Sequence, residues 1–350
     1  MTYNKEDAQM TKGLGILCML ALHLFCRKGS AVFGTPLLWI NDTTPFVYTF
    51  GFFAEICVPI YSMAAGYAMY LMYEQKRDSF KHRSRRILNL LVNYWIILVL
   101  FSLISIVYTG GSEMPGSTGK FIKAVFLLDS YNGAWWYLHS YVFALCIPTA
   151  VLMYMVKKLN LVNGITLCLI LEVIGYLIRR FDMINFQLDL FALSYIKTEI
   201  DNLLRILPSI WIGGFFCKYK LIEKVGVEYK KIIPNKFTRN MVTGSILCAM
   251  FVIVNILHKA VLMLPVAIVV FVLFNIWEKN IIFKKIFLVL GKHSTNIWLI
   301  HMFFYAYIFE RWIEIFKYPV FMLLAMTWVC IAFSYVISFI HNAILKITLG

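Results

Sequence analysis

The stretch KGLGILCMLALH, residues 12–23, decides how the rest of the chain is read. Lys12 opens an apolar run of helical character, and His23 lies eleven residues further on. At about 1.5 Å of rise per residue the two sit about 16 Å apart, roughly half the hydrocarbon core of a bilayer. The chain therefore sets a cation at one membrane face and an imidazole near the middle. A histidine at that depth is tolerated only among other helices or against water, so its default reading is functional. The structural alternative is a ring hydrogen-bonded between helices.

Composition agrees with this placement. The chain has 350 residues, 61% of them hydrophobic and 17% aromatic, with a mean hydropathy of +0.76. No soluble core absorbs that much apolar surface, which points to a polytopic membrane protein. A formal net charge of +15 would suggest nucleic acid in a soluble protein. Here the cations follow the membrane instead, and no nucleic-acid partner is expected. The eight cysteines fall in or beside apolar segments without a C-x-x-C pair, so neither a metal site nor a disulfide framework is indicated. Residues 13–26 have the look of a secretory h-region, but RKGSAVF (27–33) lacks a small-x-small cleavage site and further spans follow. They are therefore read as the first transmembrane helix.

Hydropathy predicts an all-α integral membrane protein, a bundle of about ten transmembrane helices forming one domain over 1–350. The expected spans are about 12–27, 47–72, 87–108, 135–156, 162–178, 203–217, 241–257, 260–276, 286–309 and 319–341. Lys/Arg asymmetry orients them. With the N-terminus in the cytoplasm, the inner loops hold Lys76, Arg77, Lys81, Arg83, Arg85 and Arg86, and later Lys218, Lys220, Lys224, Lys230, Lys231, Lys236 and Arg239. The outer loops carry Asp42, Glu113, Asp129, Glu199 and Asp201. Both termini inside is the consistent solution. The Gly/Ser/Pro-rich stretch 109–133 reads as a flexible outer loop, and 181–202 as room for a short interfacial helix.

On this topology His23, Glu55, His139 and His301 fall at similar depth in the outer half, on four different helices, with Trp135 and Trp136 beside them. A carboxylate next to a histidine orients one ring nitrogen, an arrangement suited to general acid–base work. The alternative is a polar cluster that holds helices together. At the inner face Arg83 and Arg86 stand at i and i+3, on one face of a helix. Paired guanidinium groups suit phosphate, although inner-loop cations also arise from topology or from anionic lipid alone.

Taken together these stretches resemble the bacterial membrane acyltransferase type 3 family, integral-membrane O-acyltransferases that modify surface polysaccharides. Lys12 and His23 are similar to the family's Arg/Lys-x10-His signature on the first helix. VPIYSMAAGY (58–67), RSRRI (83–87), WWYLHS (135–140), RILPSIWIGGFFCKY (205–219) and LGKHSTNIWLIH (290–301) resemble further family stretches in the same order. Lys12 stands where arginine is common, Ala65 replaces a serine, and Asn93 precedes Tyr94 where Pro-Tyr is frequent.

The resemblance implies a membrane O-acyltransferase, with acetyl as the acyl group. It would move that group from cytoplasmic acyl-CoA to a hydroxyl of a cell-surface or lipid-linked glycan, from a place in the bacterial inner membrane. Coenzyme A phosphates would meet Arg83, Arg86 and Lys12. His23 would act as general base with Glu55 orienting it, and Trp135, Trp136, His139 and His301 would line the acceptor side. No permanently bound cofactor and no metal are implied; acetyl-CoA enters as donor substrate, the lipid bilayer is the one constant partner, and oligomerisation is left open. The competing reading is a small-solute permease or polysaccharide exporter of the same fold, which intramembrane polar residues also suit.

Overall fold

The computed structural model describes residues 3–26, 33–181, 191–310 and 312–349. The chain is a succession of helices. In order they are α1 (Lys5–Phe25), a short ribbon of β1 (Trp39–Asn41) and β2 (Thr44–Pro45), α2 (Phe46–Phe53), a 3-10 turn (Ala54–Ile56), α3 (Cys57–Glu74), α4 (Phe80–Thr109), α5 (Thr118–Val125), α6 (Trp136–Cys146), α7 (Thr149–Leu152) and α8 (Tyr154–Lys158). There follow α9 (Leu161–Arg180), α10 (Phe191–Lys218), α11 (Leu221–Ile232), α12 (Lys236–Leu257), α13 (Met263–Ile276), α14 (Ile281–Ile300), 3-10 turns at His301–Phe304 and Trp312–Phe316, and α15 (Pro319–Leu349). Among the described residues seven helices are long and apolar enough to cross a membrane, with Ala260–Ile276 a shorter apolar helix. The protein is a multi-pass, all-α membrane protein. The other two stretches expected to cross are α14, which carries Lys284, Lys285 and Lys292, and 135–156.

Local chemistry explains the breaks. The expected span 135–156 is not one helix: α6 stops at Cys146, and two short turns follow Pro148. Proline disfavours helix at the residue before it and removes a donor, so Ile147-Pro148 ends α6. Pro59 does the same more gently in the first turn of α3. It cannot bond the Glu55 carbonyl, and the chain tightens to a 3-10 turn at Ala54–Ile56. The sixth expected span, 203–217, is the end of a much longer helix. α10 starts at Phe191 and carries Glu199, Asp201 and Arg205 with it, so 191–202 is helix continuous with the span; residues 182–190 lie outside the described part. The stretch 109–133 is more ordered than its composition suggests. It contains α5, whose end is tied to α4 by Tyr94 Oη donating to the Ala124 carbonyl (2.8 Å) and Trp95 Nε1 to the Val125 carbonyl (2.9 Å). Tyr131 closes it by donating to the Pro115 carbonyl (2.6 Å).

The chain divides into two compact units. The first comprises Met1–Met19, Phe52–Ser79 and Ile147–Lys292. Its centre is the pairing of α3 with α10, where backbones meet across glycine. A Cβ on Gly66 would run into the Ile210 carbonyl, and one on Gly213 into that of Met63. Small residues permit such close approach between helices in lipid, where there is no hydrophobic drive to pair them. The start of α1 docks here too. Asn4 caps it, its side-chain oxygen accepting from the Glu6 and Asp7 amides (2.7 and 3.0 Å). Tyr3 packs on Tyr67 (4.5 Å between ring centres), Thr11 donates to Asn275 Oδ1 (3.0 Å), and Gln9 donates to the Leu288 carbonyl (2.9 Å). The Lys218 ammonium caps α8, donating to the carbonyls of Val156, Lys157 and Leu159 (2.8, 3.0 and 2.8 Å). α9 and α12 bury only 11% of their apolar windows, so their outer faces are left for lipid.

The second unit comprises Leu20–Gly51, Phe80–Cys146 and His293–Gly350. α4, α6, α15 and the end of α14 build it around Phe101, which stacks on Phe303 at 4.6 Å. A polar thread runs through the same unit. Asn93 Nδ2 donates to Asn296 Oδ1 (2.6 Å), Asn296 Nδ2 donates to Ser334 Oγ (2.9 Å), and His293 Nδ1 lies 2.8 Å from the same hydroxyl. All four side chains are buried, and the thread joins α4, α14 and α15.

Candidate functional site

His23 occupies the last turn of α1, and the described structure gives its ring a partner that no sequence spacing reveals. α14 ends at Ile300, so its last carbonyls have no partner within the helix. Side chains take them up. Trp135 Nε1 and Asn132 Nδ2 donate to the Leu299 carbonyl (2.9 and 3.2 Å), and His301 Nδ1 lies 2.7 Å from the Trp298 carbonyl. The other ring nitrogen of His301, Nε2, is 3.1 Å from His23 Nδ1. The rings are 4.8 Å apart at 52°, a geometry of edge contact through nitrogen rather than stacking. Tyr305 Oη donates to the His23 carbonyl (3.0 Å) and fixes the end of α1. His23 is 9% exposed and His301 1%. Both sit in the second unit, at the C-terminal ends of helices, where the helix dipole is negative.

An aromatic ladder leads from this pair to a guanidinium within the same unit. Trp298, whose carbonyl holds His301, meets Tyr137 edge-on at 5.4 Å; Tyr137 stacks on Tyr141 at 6.2 Å and 12°; Tyr141 Oη accepts from Arg86 Nη2 at 2.8 Å. One continuous run of contacts thus connects the arginine at the start of α4 to the imidazole pair.

The sequence-derived candidates distribute as follows. His23, His301, Arg83, Arg86, Trp135, Trp136 and His139 belong to the second unit; Lys12 and Glu55 belong to the first. Lys12 is exposed and Arg83 and Arg86 are half-buried. Glu55, in the 3-10 turn before α3, lies in the electrostatic reach of Arg205 on α10 and Glu172 on α9. Trp135, expected on the acceptor side, is packed inside the second unit. Its ring is fully buried, wedged edge-on between Tyr94 (4.9 Å) and Phe303 (5.6 Å), and its N–H is engaged by Leu299. It holds α4, α6 and the end of α14 together and offers no free face to a sugar. Trp136 is only half-buried and keeps that capacity; His139 is buried one turn along α6. Trp298, Tyr305, Tyr137 and Tyr141 were not singled out from sequence. The first two lie in or just beyond LGKHSTNIWLIH, and their aromatic clustering around His301 was the available signal. Among the described residues no group of three or more His, Cys, Asp or Glu side chains could hold a metal ion.

The protein thus carries two hydrogen-bonded imidazoles buried at the ends of helices. Its class is set by comparison with known families: a family model described as an acyltransferase domain matches residues 8–341, and the chain belongs to this acyltransferase type 3 family. It is therefore a membrane acyltransferase. No curated protein and no solved structure matches it.

Proposed function

We propose that the protein transfers an acetyl group from acetyl-CoA, entering from the cytoplasm, to a hydroxyl of a cell-surface or lipid-linked glycan at the outer side of the bacterial inner membrane. In this topology both termini are cytoplasmic, and the whole chain acts as one acyltransferase domain. The observation that carries the reading is the buried His23–His301 pair (3.1 Å), joined through Trp298, Tyr137 and Tyr141 to Arg86. The His23 ring takes the proton of the acceptor hydroxyl as its oxygen attacks the thioester carbonyl. The C–S bond breaks, and the imidazolium returns the proton to the departing thiolate. Arg83 and Arg86 receive the donor's phosphates through charge-assisted hydrogen bonds. Trp136 and His139 serve the acceptor. The orienting role expected of Glu55 passes to His301, and Glu55 balances Arg205 instead. The chemistry needs no resident cofactor.

The test is transfer of labelled acetate from acetyl-CoA to glycan in membrane vesicles. His23→Ala should lower incorporation by about 10²–10⁴-fold, the usual range for a general base, with an unchanged melting profile in detergent. Normal incorporation by that variant refutes the assignment. Solute flux in proteoliposomes without acyl transfer would replace it with the permease reading.

A further inference from the structure

The pair of histidines carries more information than their proximity, because one end of the chain of bonds is a backbone carbonyl. A carbonyl oxygen only accepts. At 2.7 Å from the Trp298 oxygen, His301 Nδ1 must carry the hydrogen. In the neutral ring that leaves Nε2 of His301 as an acceptor. The atom facing it, 3.1 Å away, is His23 Nδ1, which must then be the donor. His23 is left with its lone pair on Nε2. The sequence of bonds is Trp298 C=O, H–Nδ1 of His301, Nε2 of His301, H–Nδ1 of His23, and it runs in one direction only while both rings are neutral.

We infer that His301 is a positioning residue that holds His23 in the Nδ1–H tautomer and makes Nε2 of His23 the atom that takes the acceptor proton. An isolated imidazole side chain favours the opposite tautomer, with hydrogen on Nε2, which would present a donor to the acceptor hydroxyl where a base is needed. The bond from His301 reverses that preference, as partners of one ring nitrogen generally set the role of the other. Tyr305, bonded to the His23 carbonyl, and Trp298 Nε1, donating to the Ala134 carbonyl (3.0 Å), hold the two backbones that the relay depends on. When His23 gains a second proton, the charge faces a ring whose far side rests on the negative end of α14. The role differs from acceptor binding, the part the sequence suggested for His301.

This inference rests on His23 being the base, and the experiment separates the two. Full-length protein labelled with ¹⁵N-histidine in lipid nanodiscs is measured by NMR, with His23 assigned by difference from His23→Ala. The expected spectrum has His23 protonated at Nδ1 and unprotonated at Nε2. His301→Phe, which cannot accept, should return His23 to the Nε2–H form and lower kcat by at least about tenfold, with the donor KM within about twofold. His301→Gln, whose amide can donate to the carbonyl and accept from His23, should keep the wild-type tautomer and stay within about tenfold of wild-type kcat. A wild-type His23 found with hydrogen on Nε2, or full kcat in His301→Phe, overturns the positioning role while leaving His23 as base if His23→Ala is inactive. Should His301→Phe fail to fold, the wild-type spectrum and the Gln variant decide. Normal transfer by His23→Ala would instead remove the base itself.

Discussion

Replacing Asn296 by alanine should destabilise the fold without touching the chemistry, and the size of the effect follows from its bonds. Its Oδ1 accepts from Asn93 (2.6 Å), and its two amide hydrogens are shared among Ser334 Oγ (2.9 Å), Ser338 Oγ (3.2 Å) and the Ser334 carbonyl (3.3 Å). About three bonds are lost. Side-chain hydrogen bonds between membrane helices average about 0.6 kcal/mol each, which gives about 2 kcal/mol. The stranded Asn93 amide adds about 1 kcal/mol or more, since a buried donor left unmade is costly. The total expected is about 3 kcal/mol. Asn93→Ala removes a single bond and should cost about 1–2 kcal/mol. The double variant should show a coupling of about 1 kcal/mol, because once one partner is gone the bond between the two amides is already lost. Reversible unfolding in mixed detergent–SDS micelles measures all four corners of the cycle. A coupling below about 0.3 kcal/mol, within the additivity of independent sites, would refute the claim that these two amides form the link between α4 and α14. Transfer per folded molecule should stay at the wild-type level, since Asn296 lies outside the proton path.

Three further outcomes are expected. Gly213→Val drives a side chain into the Met63 carbonyl and should cost about 3 kcal/mol, seen as loss of the monodisperse peak in detergent chromatography. Gly244→Val, where an added Cβ would meet nothing outside its own helix, should leave the peak intact, and equal behaviour of the two would contradict the close α3–α10 contact. Arg86→Ala should raise the donor KM by about 10- to 100-fold, the worth of one or two charge-assisted bonds to phosphate, with a weaker salt dependence than wild type; an unchanged KM removes Arg86 from donor binding. Burial, opposed by Asp7 and aided by Lys284, pushes Lys279 down from 10.5 to about 8. Between those values the folded chain holds a neutral amine while the unfolded chain binds the proton, so stability should rise with pH across the window, by up to about 3 kcal/mol. Lys279→Met should flatten that slope, and a wild-type curve already flat there would refute the cause.

Most of the helices were legible because membrane spans declare themselves by hydropathy. The expected span 87–108 lies inside Phe80–Thr109, and 260–276 coincides with the 3-10 turn and α13. The misreadings have particular causes. Lys197, Glu199 and Asp201 lower the hydropathy of the first part of α10 and hid it, although none of them breaks a helix. Pro148 was a signal for the end of α6 that the surrounding apolar residues obscured. At the candidate site, His23 was found because an imidazole in lipid is costly enough to need a reason. Its link to His301 was not legible, since the two are 278 positions apart and only the fold decides which of several polar residues meet. The burial of Trp135 was not legible either: an aromatic beside a loop suggests a surface, and burial is a tertiary property.

The bracing of α5 against α4 has a practical consequence for mapping sidedness. Pro115, Ala124 and Val125 are engaged by Tyr131, Tyr94 and Trp95, so a foreign peptide inserted beside them would pull the brace apart. Gly110, at positive φ and with nothing within 4 Å of where a Cβ would stand, opens onto free space just past the end of α4. A short epitope placed there should leave the brace whole, and antibody binding to intact cells would then report on which face of the bilayer this connection emerges.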